Sequence, residues 1–355
     1  MDAMRSVLMM LGVFLHSSLV FEQNSDWLIR SNQTTPVADI LSNAIHTFRM
    51  PAFFIVSGFF CVFTLRRYGA DQFFKLRLVR ILIPLIVTAI TLNSIQTYLL
   101  VHTGWRVFSL PEYLQQGRWV SHLWFLINLV YYFAGAYVLA KLAAGPLLSL
   151  NALVRRILMS MPISISLAVF PLVLTALLSL NKLGFPLYYE SYGLIDVFSL
   201  VYYLPFFAFG AVIGTDQELL FRFSDVNPLV SSGVIVSAIL AQKLMHFPGG
   251  LLGAFDEVYL HELVVWYSAA LCFYFFYRFC NSASPLFTFF SNASYSIYLF
   301  HHILAVALGM LVIEAGIGGL TGLIMLSLAV GLVSIAIHRY LISRSRVLRF
   351  AFNGK

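Results

Sequence analysis

Arg5 and His16 stand eleven residues apart in an apolar run near the start of the chain. On a helix, about 100° and 1.5 Å per residue put them within ~20° of one face and ~16 Å apart along the axis. A cation at one end of that face suits a phosphate-bearing ligand, because the planar guanidinium matches phosphate oxygens and stays charged. A neutral imidazole near the other end can accept a proton from a hydroxyl at working pH. Plainer readings stand beside these: Arg5 as an anchor at the polar end of a membrane helix, and His16 as a hydrogen-bonding partner of a neighbouring helix.

A second cluster reads His46-Thr-Phe-Arg49-Met-Pro51-Ala-Phe53-Phe-Ile-Val-Ser57-Gly58. His46, Arg49, Phe53 and Ser57 recur at i, i+3, i+7 and i+11 and share one helix face. Arg49 is expected in the outer third of a bilayer, where an ionisable group is expensive and marks function by default. The competing readings are an Arg49 that snorkels to the surface and a Ser57-Gly58 pair that serves as a packing notch. A third cluster places Ser294, Tyr298 and His301 or His302 on one face, able to bond the first helix or a substrate. Adjacent histidines point about 100° apart on a helix and are poor joint ligands for one metal. No HExxH, Walker A or GxSxG pattern is present, so no metal site is expected. His122 and Glu262 each open a further apolar run.

The elements that position these groups follow from composition. The chain has 355 residues, 60% hydrophobic and only 10% charged, with a mean hydropathy of +0.86. A water-soluble domain carries about 25% charged residues, so this chain cannot cover its surface with polar groups, and its solvent is lipid. At about 20 apolar residues per span, the runs 6–21, 45–65, 78–101, 122–140, 157–180, 196–214, 228–245, 261–280, 290–312 and 318–340 predict about ten transmembrane helices. They make one all-α membrane domain over 1–355, since open sheet edges find no partners in lipid. The first run has the length of a signal-peptide core, but no small-residue cleavage site follows, so it is kept as a helix. The net charge of +7 does not imply a nucleic-acid partner, because the basic residues flank apolar runs and form no continuous tract. Cys61, Cys272 and Cys280 lie in apolar stretches and read as small buried hydrophobes.

Lys and Arg divide unequally between alternate loops: fifteen, from Arg66 to Lys355, against four, Arg30, Arg106, Arg118 and Lys182. The positive-inside rule puts the first set, and both termini, in the cytoplasm. The external loops are then 22–44, 102–121, 181–195, 246–260 and a short one near 313–317.

These pieces together resemble the acyltransferase-3 family of membrane O-acyltransferases. Asp2-Ala-Met-Arg5, followed after ten residues by His16, is similar to that family's Arg-x10-His signature. The run from His46 to Phe60 is similar to its second-span motif. Ser121-His122-Leu-Trp124-Phe125-Leu126 and Tyr203-Leu-Pro205-Phe206-Phe207-Ala-Phe-Gly210 resemble its middle motifs, and Asn292 to His302 its ninth-span motif. Five motifs in order run from residue 2 to about 302. Within the family the likeness is nearest to a group implicated in succinylating periplasmic glucans. Relatives usually carry a short cytoplasmic lead-in, of which almost nothing precedes Asp2.

The resemblance implies a bacterial inner-membrane enzyme with no permanently bound cofactor. Acyl-CoA, as succinyl-CoA or acetyl-CoA, would be co-substrate, and an envelope glycan would be acceptor. Arg5 would hold the donor's phosphates, His16 would be the general base, and Arg49 would stabilise the oxyanion or bind an acidic acyl group. Asp2, His46, Ser57, His122, Trp124, Glu262, Ser294, Tyr298, His301 and His302 would bind substrate or support the site, Glu262 by orienting a histidine or bonding the glycan. A secondary transporter of a small polar solute or glycan is the alternative. It predicts interrupted helices at corresponding places in two halves, and Pro51 and Pro84 find no partners in the later half.

Overall fold

The computed structural model describes residues 1–245, 251–280 and 284–355. Its helices run α1 Asp2–Leu19, α2 Pro36–Tyr68, α3 Ala70–Ile90, α4 Leu92–His102, α5 Leu110–Gln115, α6 Trp124–Leu142, α7 Ala144–Ser160 and α8 Ile163–Ser179. A two-residue antiparallel ladder, β1 Glu190–Ser191 with β2 Ile195–Asp196, precedes α9 Val197–Ile213. Then follow α10 Gln217–Ser224, α11 Pro228–Leu244, α12 Leu251–Phe279, α13 Pro285–Glu314, α14 Gly319–Ile337 and α15 Arg346–Asn353.

Helix boundaries follow local chemistry. Pro occupies the first turn of α2, α11 and α13, where its missing N–H is no loss. The side chains of Asn227, Ser284 and Asp196 accept hydrogen bonds from backbone N–H groups of the turns they cap. Gly69, at φ 74°, turns the chain from α2 into α3.

Among the described residues, six helical segments from Pro36–Tyr68 to Gly319–Ile342 are long and apolar enough to cross a membrane. There are seven if α10 and α11, bent by 63°, count as one span. α1, α8 and α9 are apolar but shorter, at 18, 17 and 17 residues. Large apolar side chains such as Ile90 (68% exposed) and Leu229 (83%) point outward, as lipid-facing residues do.

The structure lengthens several expected elements. α2 starts at Pro36 rather than 45, so the expected loop 22–44 shrinks; hydropathy marks only the lipid-immersed part of a helix that a Pro start and Asp39 extend. α12 likewise begins at Leu251, within the expected loop 246–260, of which 246–250 lie outside the described residues. The expected span 157–180 begins at Ile163 after a break at Met161-Pro162, and the unexpected α7 carries Arg155 and Arg156.

α1 lies against α2, α13 and α14, and α2 packs along α9. The α2–α9 crossing is a glycine contact: a Cβ at Gly58 would collide with the Phe207 carbonyl oxygen, and one at Gly210 with that of Ile55. The packing-notch reading therefore holds for Gly58. Gly58→Ala and Gly210→Ala should each destabilise by about 1–3 kcal/mol, through backbone displacement in a close-packed interior. Gly135→Ala and Gly233→Ala, where nothing approaches within 4 Å, should leave stability unchanged or raise it by about 0.5–1 kcal/mol. Melting temperatures of the four variants in one detergent check the opposite signs.

Candidate active site

Because α1 is unbroken, Arg5, Met9, Gly12 and His16 fall on one face. At one end Arg5 Nη2 lies 3.1 Å from Asp2 Oδ1 and 3.5 Å from Ser291 Oγ, with its guanidinium 5.2 Å from the Phe60 ring centroid. At the other end His16 meets two imidazoles of α13, with ring centroids 5.1 Å away for His301 and 4.6 Å for His302. His122, just ahead of α6, stacks on His302 at 4.5 Å and lies 5.6 Å from His301. Trp27 closes the group, stacked on His16 at 5.8 Å. Three chain segments distant in sequence thus deliver four histidines to one place.

Hydrogen bonds assign two of the tautomers. His301 Nδ1 is 2.5 Å from the Tyr298 carbonyl, and His302 Nδ1 is 2.6 Å from Gln96 Oε1. Carbonyl and amide oxygens only accept, so both Nδ1 atoms carry the proton and both Nε2 atoms keep a lone pair. His301 Nε2, His16 Nδ1 and both nitrogens of His122 are buried without a partner. Buried polar atoms are rarely left so, and several converging on one point mark a place for a polar ligand. His122, His301 and His302 are buried, while His16 is half-buried.

Arg49 does not snorkel. It is buried, Nε donates to the Leu8 carbonyl of α1 at 2.9 Å, and among the described residues no carboxylate pairs with it. Gly12 makes this placement possible. A Cβ there would stand 2.8 Å from Arg49 Nη2 and 2.9 Å from His301 Nε2. The guanidinium and the lone pair converge on bare backbone midway along the α1 face.

α4 carries two residues that hold the histidines. Gln96, 4% exposed, fixes His302, while Asn93, 2% exposed, donates to the carbonyls of Trp119 and Val120 at 2.8 and 3.1 Å. That second contact braces the turn before His122, where Ser121 adopts φ 50°. A left-handed non-glycine residue is strained and persists only where its surroundings enforce it. Opposite, a Cβ on Gly193 would come within 2.6 Å of Gly117 Cα, so the β1–β2 hairpin docks directly on this turn. Gly12, Asn93 and Gln96 are absent from the sequence-derived set. Two amides at i, i+3 inside an apolar run were the available signal.

At the Arg5 end a cavity of about 160 Å³ is lined by Met9, Phe53 and Phe133 and by four cations, Arg5, Arg77, Arg80 and Lys355. Among the described residues no Asp or Glu side chain lines it. Arg77 Nη2 donates to the Phe60 carbonyl at 2.8 Å and to Thr64 Oγ1 at 2.6 Å. Lys355 arrives by way of Gly354, at φ 61°, which ends α15 tightly against Arg80. Partial desolvation, with repulsion from Arg80 and Arg5 added, pushes the Lys355 ammonium below its usual value.

The remaining candidates divide. Ser57 and Ser294 line the Arg5-end cavity, and Tyr298 donates to the His122 carbonyl at 2.5 Å. Asp2 is exposed and pairs with Arg5. His46 is exposed, although it sits one turn from Arg49 on the expected face. Glu262 accepts from the Tyr202 hydroxyl at 3.0 and 3.3 Å and orients none of the four histidines. Trp124 lies against Tyr203, centroids 5.4 Å apart, in a separate cavity. No group of three or more His, Cys, Asp or Glu among the described residues is arranged to hold a metal ion.

A family model described as an acyltransferase domain matches residues 1–339. Proteins named glucans biosynthesis protein C, from Salmonella heidelberg (strain SL476) and Salmonella typhi among others, are 28% identical over 376 residues, covering 100% of this chain and 94% of theirs. No solved structure matches.

The burial differences predict chemical reactivity. Diethyl pyrocarbonate at neutral pH should modify His46 and His16 and spare His122, His301 and His302, read by peptide mass spectrometry. Modification of all five at equal rates would mean that the cluster is open.

Proposed function

The chain belongs to the acyltransferase-domain family, and on that premise we propose that it moves an acyl group, succinyl or acetyl, from cytoplasmic acyl-CoA to a hydroxyl of an envelope glycan. The glycan reading is supported by similarity to proteins named for glucan biosynthesis. The carrying observation is the α1 face, which runs from the cation-lined cavity at Arg5, past Met9 and the bare Gly12, to the histidine cluster at His16. In this reading the ten apolar segments, counting α1, α8, α9 and the bent α10–α11 pair, all span a bacterial inner membrane, with both termini cytoplasmic. The Lys and Arg asymmetry supports that orientation.

Arg5, Arg77, Arg80 and Lys355 hold the donor's phosphates, as guanidinium and ammonium groups suit them. The pantetheine arm follows Met9 inward, and the thioester carbonyl rests by Gly12. His16, the half-buried histidine of the cluster, takes the proton from the acceptor hydroxyl as its oxygen forms the new bond to the thioester carbon. The oxyanion that develops is met by Arg49, already fixed by the Leu8 carbonyl. On collapse the carbon–sulfur bond breaks, and the thiolate leaves with the proton returned by His16. His301 and His302, locked as Nδ1–H tautomers, hold the imidazole of His16 in place. Acyl-CoA is a substrate here, and the proposal needs no resident cofactor.

His16→Ala should lower transfer by about 10²–10⁴-fold at normal protein level. Mass spectrometry of the envelope glycan reads this as loss of an ester of about 100 Da for succinyl or about 42 Da for acetyl. Ester retained at wild-type amounts would remove His16 as the base. Arg77→Ala and Arg80→Ala should instead raise the donor KM by about 10–100-fold with kcat little changed, since each removes a charge-assisted hydrogen bond. The lowered Lys355 pKa adds a sign: donor KM should rise as that ammonium deprotonates, at a lower pH than an ordinary lysine would give, and Lys355→Arg should flatten the rise.

A further inference from the structure

Two cavities flank Ser121 at the His16 end of the molecule, and they differ in charge. One, of about 280 Å³, has Arg106 and Arg118 in its wall together with Gln96. The other, of about 320 Å³, is formed where the β1–β2 hairpin docks on the turn before His122. Its wall holds Trp124, Phe198, Tyr203, Glu190, Asp196 and Ser121 and no basic residue. Its volume is at the low end of the range for small-ligand pockets, where aromatic walls and a few placed polar groups are usual.

The aromatic rings are held as platforms. Trp124 and Tyr203 lie 5.4 Å apart at 31° with Trp124 only partly buried, while Phe198, stacked between Tyr188 at 5.4 Å and Tyr202 at 5.7 Å, presents only its edge. Beneath them Phe54 stacks on Tyr203 at 4.7 Å. Asp196 spends one oxygen on the Ser199 N–H, and Glu190 is exposed on the hairpin. A pyranose ring matches this lining: its C–H face lies on an aromatic ring, and its hydroxyls donate to carboxylates, which can only accept. An anionic group would be repelled here and drawn to the Arg106–Arg118 cavity. The wall residue Ser121 directly precedes His122, whose two ring nitrogens are buried without partners. Ser121 lines the Arg106–Arg118 cavity as well, so both cavities abut the turn that carries His122, and their charge decides between them.

We propose that the cavity between the β1–β2 hairpin and Trp124 is the acceptor site, and that it selects an uncharged sugar unit by aromatic stacking and carboxylate hydrogen bonds. This rests on the transferase reading for its purpose, but the binding it requires does not. The test is calorimetric titration of the full chain in nanodiscs, without any acyl donor, using a neutral glucose oligosaccharide and a sulfated counterpart. Wild-type protein should bind the neutral probe, and Glu190→Gln and Trp124→Ala should each weaken it at least about tenfold. Arg106→Ala should leave that affinity unchanged. Unaltered melting temperatures keep misfolding apart from lost binding. No binding of the neutral probe, tighter binding of the sulfated one, or wild-type affinity in both Glu190→Gln and Trp124→Ala would each overturn the proposal. Binding as expected, with no acyl transfer by the wild type, would keep the sugar site and refute the transferase reading.

Discussion

The site depends on one omission, the side chain that Gly12 lacks. A guanidinium buried at membrane depth without a carboxylate carries a large desolvation penalty, and such charges persist where other groups or a ligand answer them. Arg49 finds the Leu8 carbonyl and open access to the α1 backbone, both on the helix that carries Arg5 and His16. Any larger residue at position 12 would separate Arg49 from His301. The same gap leaves positive charge aimed, in a water-poor interior, at a point with no negative partner. Such an arrangement binds developing negative charge better than charge already dispersed, because its dipoles need no reorganisation when the charge appears.

Around that point the polar groups form a nested support. α4 reaches the cluster twice, through Gln96 on His302 and through Asn93 on the turn before His122. Tyr298 spans from α13 to the His122 carbonyl while its own carbonyl takes the His301 proton. Each histidine other than His16 is therefore fixed by a backbone or amide contact, and three helices must be in register for all to form. Geometry held this way resists small displacements, which proton transfer between oxygen and nitrogen requires.

How much of this the sequence disclosed follows from what each signal measures. The i, i+11 spacing of Arg5 and His16 survives because α1 is a single regular helix. His301 and His302 were placed by the same periodicity. The facing of His122, which is 106 residues from His16, was not accessible: it depends on Ser121 adopting a left-handed backbone that no residue type there demands. Hydropathy located apolar helices but not the ends of α2 or α12, since helices continue past an apolar stretch wherever caps allow. It also passed over α7, whose amphipathic pattern suits an interface more than a span. Glu262 shows what spacing alone leaves out. An acid in an apolar run suggests function, and here its burial is answered by a tyrosine hydroxyl.

The cation-lined cavity shows why a linear reading of such a chain is incomplete. Arg5 comes from α1, Arg77 and Arg80 from α3, and Lys355 from beyond α15. What draws α15 into place is polar: Ser296 of α13 donates to Asn353 at 2.8 Å, and His338 Nδ1 lies 3.0 Å from the same hydroxyl. That chain of contacts is buried and ends at Asn353, which itself lines the cavity. Its consequence is still local, because Gly354 can turn back onto Arg80 only if α15 is held. Four like charges in one small cavity repel one another, so their assembly opposes folding unless packing elsewhere enforces it. Burial of α15 against α3 and α13 supplies that enforcement. An anion entering the cavity would relieve the repulsion, so binding and closure of this end of the molecule should be thermodynamically linked.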